Sequence, residues 1–353
     1  MLTVIVPAVV EPEVDQTIRS LLAQTIRPDR IVIAINNAGE DTSTRESAES
    51  VASDIVQIID LGTVTGKKAG ALNAVLAQIL PTMADEDFIL VQDADSALDR
   101  TFIANALRRM ERDEDLGAVG GVFRGQEGGG FVGHLQRNEY ARYARDVSRL
   151  KGKCLVVTGT AAVFRVRTLQ HISQARLEGL LPAGNGQGGI YDTTVLTEDN
   201  EISFALMHLG YKILSPADCT LTTEVMPTWR DLWKQRLRWK RGAVENCVQY
   251  GFTRVTGPYW GRQLVTMLGV IVTAVYIGTL IWSLIVFGAI TIAPFWLGVT
   301  AIFALERVVT LRGRGIWRRW ITVTLYELPF DLFLQACHGK AYIDAALGRE
   351  RKW

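Results

Sequence analysis

The chain is short of the residues that build stapled or metal-dependent folds. Its four cysteines (Cys154, Cys219, Cys247 and Cys337) are spread over 353 residues, and no two form a Cys-x-x-Cys pair. That excludes a disulfide framework and fits a reducing compartment. The four histidines (His134, His171, His208 and His338) show no zinc-ligand spacing. Net charge is only +1, which argues against nucleic acid as a partner. No internal repeat is visible. The first residues are already strand-like, so no signal peptide is expected.

Charge is also missing from one long stretch. Residues 264–305, 42 in all, contain no Asp, Glu, Lys or Arg. At ~1.5 Å per helical residue the run reaches roughly 63 Å, about two hydrocarbon cores. Two transmembrane helices are expected, at about 264–287 and 293–311, with a break near Gly288 to Pro294. A buried soluble hairpin is the alternative, and the length of the uncharged run disfavours it. Arg307, Arg312, Arg314, Arg318 and Arg319 follow the run, and Lys234, Arg236, Arg238, Lys240, Arg241, Arg254 and Arg262 precede it. Basic flanks on both sides place both termini in the cytoplasm. Residues 316–338 are apolar but interrupted by Glu327 and Asp331. They read as an interfacial helix rather than a third span, in keeping with the basic tail from Arg349 to Lys352.

What the first 226 residues do contain is an alternation of strand and helix patterns. Strands are expected at Leu2–Val6 (ended by Pro7), Arg30–Ile35, Ile55–Ile59 and Phe88–Gln92. Helices are expected at Val14–Ala23 and Ala69–Leu80. The alternation implies βαβ units and a mostly parallel sheet. The turn Asn36-Asn37-Ala38-Gly39 follows the second strand, and 125–130 and 182–189 read as loops.

Phe88-Ile89-Leu90-Val91 is apolar throughout, as a strand covered on both faces requires. Asp93 and Asp95 follow at its carboxyl end, where open α/β sheets bind ligands. In an extended chain they point the same way, and their mutual repulsion calls for a cation. Mg²⁺ suits one or two carboxylates plus phosphate oxygens. The plain alternative is a strand end followed by a helix cap at Ser96 or Asp99.

Other stretches are double-edged. Gly62 to Lys68 is one residue short of a P-loop and lacks the following Ser or Thr. Spacing alone makes Lys67 and Lys68 a solvated pair, although a phosphate at this helix N-terminus would suit them. Leu155 to Arg165 is a core strand by its apolar run, or a place of close approach by its small residues 159–162. Thr197-Glu198-Asp199 opens a helix, either as ordinary charge bias or with a general base. Pro227 to Gly242 is a basic helix opened by Pro227 or Thr228, with Gln235, Arg238 and Trp239 on one face. Its Trp229 and Trp233 suit a membrane interface, or a surface anchor with no chemistry.

The order of these pieces resembles family 2 glycosyltransferases, in the membrane-bound branch of cellulose, hyaluronan and poly-N-acetylglucosamine synthases. The residues that carry it are Val4-Ile5-Val6-Pro7 with Glu11-Pro12, Lys68 to Asn73 (KAGALN), Asp93-Ala94-Asp95, Thr158 to Arg165, Thr197-Glu198-Asp199 and Gln235 to Trp239 (QRLRW). The resemblance implies a GT-A-like α/β fold over 1–226, interface helices over 227–262, two spans over 263–311 and a basic loop, interfacial helix and tail over 312–353. It implies Asp199 as catalytic base. Pro7, Glu11, Asn36, Lys68, Asp93 and Asp95 would bind the nucleotide-sugar, and Asp95 would hold Mg²⁺ or Mn²⁺. Thr197, Glu198, Gln235, Arg236, Arg238 and Trp239 would face the acceptor and diphosphate.

The expected activity is inverting transfer of N-acetylglucosamine or glucose from a uridine diphosphate donor to a glycan or lipid-linked acceptor. The bilayer would be a partner; homo-oligomer formation stays open. Val9, Val10, Asn36 and Asn37 depart from the family's pattern around the nucleobase. Transfer to polyprenyl phosphate is the alternative within enzymes, and an inactive membrane scaffold the alternative outside them.

Overall fold

The structure, a computed structural model, describes residues 1–36, 42–51, 53–290, 294–311, 315–321, 324 and 326–350. Asn37, Arg312, Arg314 and Lys352 lie outside the described residues. The chain divides into two compact units, 1–126 with 146–224, and 127–145 with 225–353.

The first unit begins with β1 (Leu2–Ala8), α1 (Val14–Leu22), β2 (Arg30–Ile35), α2 (Ser43–Glu49), β3 (Val56–Asp60), α3 (Lys67–Ile79) and β4 (Phe88–Gln92). A short strand β5 (Ser96–Leu98), helix α4 (Phe102–Arg112) and strands β6 (Leu116–Gly120) and β7 (Val122–Gly125) follow. After α5 (Gly130–Arg149) come β8 (Ala161–Arg165), α6 (Val166–Leu177), α7 (Glu198–His208), β9 (Lys212–Leu214) and β10 (Thr220–Thr223).

Seven strands form one sheet in the order β3-β2-β1-β4-β8-β6-β9. The first four are parallel, as the βαβ alternation requires. Strand β8 runs antiparallel to both its neighbours, so the sheet is mixed. The central strands are buried on both faces: Ile31 to Ile35 and Ile89 to Gln92 are all covered. A second sheet, β5-β10-β7, was not foreseen from the sequence; its strands are three or four residues long, too short for a period to show.

Two local expectations are corrected. Strand β1 does not end at Pro7 but continues to Ala8. Its pairing with β4 stops at Ile5, so Pro7 sits where only β2 is a neighbour and the missing N–H is tolerated. Ser96 and Asp99 cap no helix: Ser96 lies in β5, and Thr101 precedes α4.

The second unit is helical. Helix α8 (Trp229–Tyr250) starts at Thr228, whose hydroxyl accepts from the Asp231 amide at 3.2 Å and donates to its carboxylate at 2.6 Å. Helix α9 (Gly257–Phe287) ends on Gly288 in the left-handed conformation. Next are α10 (Pro294–Thr310), α11 (Ile316–Ile321) and α12 (Leu328–Ala346). Among the described residues one helix, the 31-residue α9, is long and apolar enough to cross a membrane. Helix α10 has 17 residues, so the second expected span rests on the sequence. The single interfacial helix expected over 316–338 is two helices, α11 and α12.

Trp229 and Trp233 pack on Phe333 of α12, with ring centroids 4.9 and 5.6 Å apart, and Trp229 remains partly exposed. Glu327, just before α12, is buried and accepts from Arg142 at 2.8 Å, from Asn138 at 2.6 Å and from Arg307. Arg307 also pairs with Asp331. Burying this cluster is tolerable only because every charge has a partner. Glu327→Ala should therefore strand Arg142, leave Arg307 with Asp331 alone and destabilise the fold by about 3–5 kcal/mol, read as a lowered midpoint of chemical unfolding in detergent.

Candidate active site

Three elements bring charge to the carboxyl end of β4. Gly66, in the left-handed conformation, precedes α3 and lets Lys68 point back over the sheet. The Lys68 ammonium pairs with Asp93, lies 3.4 Å from Glu198 and donates to Gly159 O at 2.9 Å. Spacing alone made it a solvated lysine; the fold makes it the cation among carboxylates. Burial opposes its charge, but Asp93 and Glu198 outweigh that and hold its pKa above the ordinary value.

Asp93 and Asp95 take different partners. The chain turns after Gln92, and the Ser96 amide donates back to Asp93 O at 3.3 Å. Asp93 goes to Lys68, while Asp95 Oδ1 accepts from Ser96 Oγ at 2.9 Å and from Thr223 Oγ1 at 3.4 Å. Among the described residues Asp95 Oδ2 accepts no hydrogen bond. Burial and the neighbouring Asp95, partly offset by Lys68, raise the pKa of Asp93 to about 6.

Asp199 stands in the first turn of α7. Its Oδ2 accepts from the Gly159 amide at 3.2 Å and its Oδ1 from the Asn200 amide at 2.8 Å. A Cβ on Gly159 would come within 3.1 Å of Oδ2. The small residues of 159–162 thus admit a carboxylate. Burial and then Glu198 push Asp199 up to about 6, against the pull of Lys68. A cavity below is lined by Lys68, Leu72, Thr158, Tyr191, Glu198 and Asp199, among others.

Glu11 lies near Asp93 and Asp95. Burial, then Asp95, Glu224 and Asp93, raise it to about 7. Glu224, just beyond β10, carried no signal in the sequence, because nothing there announced the strand. Among the described residues no group of three or more His, Cys, Asp or Glu can hold a metal alone. Even so, this crowd of oxygens with an uncommitted Asp95 Oδ2 suits a hard divalent cation whose shell is completed by phosphate oxygens.

The other expected residues differ in their surroundings. Asn36 Nδ2 donates to Val64 O at 3.2 Å, and its Oδ1 accepts from the Val64 amide at 2.9 Å. Pro7 is half-buried at the end of β1, and Thr197 is buried before α7. In the second unit Arg236 pairs with Glu139 at 2.7 Å and stacks over Trp239 at 4.4 Å, which holds it inside the helical packing. Gln235 has a buried side-chain oxygen with no partner among the described residues, and Arg238 is exposed.

The glycosyltransferase-like family 2 model matches residues 1–242. The chain belongs to that family. The poly-beta-1,6-N-acetyl-D-glucosamine synthase of Staphylococcus aureus (strain COL) is 25% identical over 274 residues, 75% of this chain and 61% of the synthase. The synthase of the same name from Staphylococcus epidermidis is 26% identical over 235 residues, 66% of this chain and 52% of the other. This chain thus spans about three fifths of the length of the former. A mannosyltransferase from Pyrobaculum calidifontis, solved with GDP-Man and Mn²⁺, aligns with a TM-score of 0.63 at 19% identity over 99% of this chain and 88% of its own. That likeness establishes the shared GT-A fold, with its mixed sheet.

Within this family 2 domain the Gly159–Asp199 contact gives a direct test. Gly159→Ala should move Asp199 by a few tenths of an ångström and, where Asp199 is a reacting group, cut turnover about tenfold or more, since misplacing such a group is costly. A matched thermal midpoint in steady-state assays would separate this from unfolding.

Proposed function

We propose that this chain is a membrane-anchored, metal-dependent, inverting glycosyltransferase. It transfers N-acetylglucosamine or glucose from a uridine diphosphate donor to a glycan or lipid-linked acceptor. The observation that carries the reading is Asp199: a carboxylate at the sheet's ligand-binding end, held by two backbone amides, with a pKa of about 6. That value suits a general base working near neutral pH. The relatives' names favour N-acetylglucosamine, and the Mn²⁺ in the archaeal neighbour's title supports the metal by analogy of fold.

In this reading Asp199 takes the proton of the acceptor hydroxyl as its oxygen attacks the anomeric carbon. The diphosphate leaves from the opposite face. Lys68 and Asp93 keep their mutual pairing beside the nucleotide. Asp95 and diphosphate oxygens would hold Mg²⁺ or Mn²⁺, which supplies charge neutralisation on the leaving group when bound. Gln235, Arg238 and Trp239 join the acceptor and diphosphate contacts on the strength of the family motif alone. Helix α9, with α10 as a second span, anchors the chain and leaves both termini cytoplasmic.

Asp199 must be ionised to act. Turnover should rise about tenfold per pH unit below its pKa and level off above it, because only the unprotonated carboxylate accepts a proton. Asp199→Asn should lower kcat by about 10²–10⁴-fold, with donor KM nearly unchanged. Activity kept near wild type would identify an acceptor that already carries a phosphate nucleophile, such as polyprenyl phosphate. Chelation should abolish nucleoside diphosphate release, and Mn²⁺ should restore it. No release from any donor in detergent would support the scaffold instead.

A further inference from the structure

The connection between α6 and α7, residues 178–197, has no regular secondary structure. Loops of this length in compact domains are uncommon and are usually functional or disordered. This one is tied down. Arg176, near the end of α6, donates to Pro182 O at 2.7 Å and Ile190 O at 3.2 Å, and pairs with Glu201 of α7 at 2.6 Å. Both members of that pair are buried. Ser173 donates to Gly188 O at 2.6 Å.

Asn73 grips the loop from the other side. Its Nδ2 donates to Tyr191 O at 2.8 Å, and its Oδ1 accepts from Tyr191 N at 2.9 Å. Gly189 lies so close that a Cβ there would stand 2.7 Å from Asn73 Nδ2. Thr193 fills the space a Cβ on Gly66 would need, 2.8 Å from its methyl. Asn73 shares α3 with Lys68, and Glu201 shares the first turns of α7 with Glu198 and Asp199. The loop is thus fixed to both helices that carry the site's charges. Between the two ties the buried Tyr191 ring walls the cavity beside Lys68, Glu198 and Asp199.

We propose that Asn73 and Arg176 are positioning residues: by fixing the 182–192 loop they hold Tyr191 as the wall that keeps water from Asp199. This rests on the transferase reading above. In transfer, the acceptor oxygen bonds to the anomeric carbon, the bond to the diphosphate oxygen breaks, and the acceptor's proton goes to Asp199. In hydrolysis, water takes the acceptor's place and yields free sugar, nucleoside diphosphate and a proton. A site that excludes water suppresses the second course.

The experiment measures both products for the wild type, Asn73→Ala, Tyr191→Ala and Tyr191→Phe in detergent with Mn²⁺. Each alanine variant should lose about tenfold or more in transfer and raise the ratio of hydrolysis to transfer about fivefold or more, as misplacement of a reacting group and loss of water exclusion require. Tyr191→Phe, which keeps the ring, should restore most of the wild-type ratio. Hydrogen exchange should show the 182–192 amides losing protection in Asn73→Ala while α7 keeps its own. Wild-type turnover with an unchanged ratio in both alanine variants would overturn the positioning role alone. Absence of nucleoside diphosphate from the wild type would sink the transferase reading and this role with it.

Discussion

Asp93, at the end of β4, acts on Glu11 and on Asp199, Glu198 adds its charge to both Asp93 and Asp199, and one ammonium holds part of that charge in check. Lys68 bonds to Asp93 and to the carbonyl of Gly159, and lies within ion-pair range of Glu198. Its own pKa is raised by the acids around it, while Asp93 is pushed up to about 6 by burial, Asp95 and Glu198, and Asp199 to about 6 by burial, Glu198 and Asp93. Desolvation and like charge would empty such a site of ions if no cation stood in it. The placement of Lys68 therefore governs what protonation states the rest can hold.

That placement is backbone work. Gly66 turns the chain into α3, and Gly70 lets the helix pack so tightly that a Cβ there would overlap Thr65 O, at 1.9 Å. Gly159 leaves room for the Asp199 carboxylate where a Cβ would stand 3.1 Å from it. The site is built where backbone passes backbone, and the side chains then fall into register. The second unit applies the same rule to charge: Glu327 is buried only because Arg142, Arg307 and Asn138 all reach it.

The family motifs were legible because they are short and local: KAGALN, Asp-Ala-Asp, Thr-Glu-Asp and QRLRW each sit within six residues. Their partners were not. Asn73 reaches Tyr191 across 118 positions, and Arg176 reaches Glu201 across 25. No periodicity links a residue in a glycine-rich loop to the helix that anchors it. The turn at Asp93 was equally hidden, because apolar alternation says where a strand runs and nothing about how the chain leaves it.

The sequence by itself determined the parallel core of the sheet, the uncharged run behind α9, and the order of the motifs that carry Glu11, Asp93, Asp95, Glu198 and Asp199. Those follow from local period, composition and motif order. Only the tertiary structure decided that β8 runs antiparallel, that Asp93 and Asp95 take different partners, that Lys68 is a half-buried counter-ion rather than a solvated lysine, and that Tyr191 walls the cavity. Each of these depends on contacts between segments far apart in the chain, and such contacts are set by packing and desolvation, which no local pattern encodes.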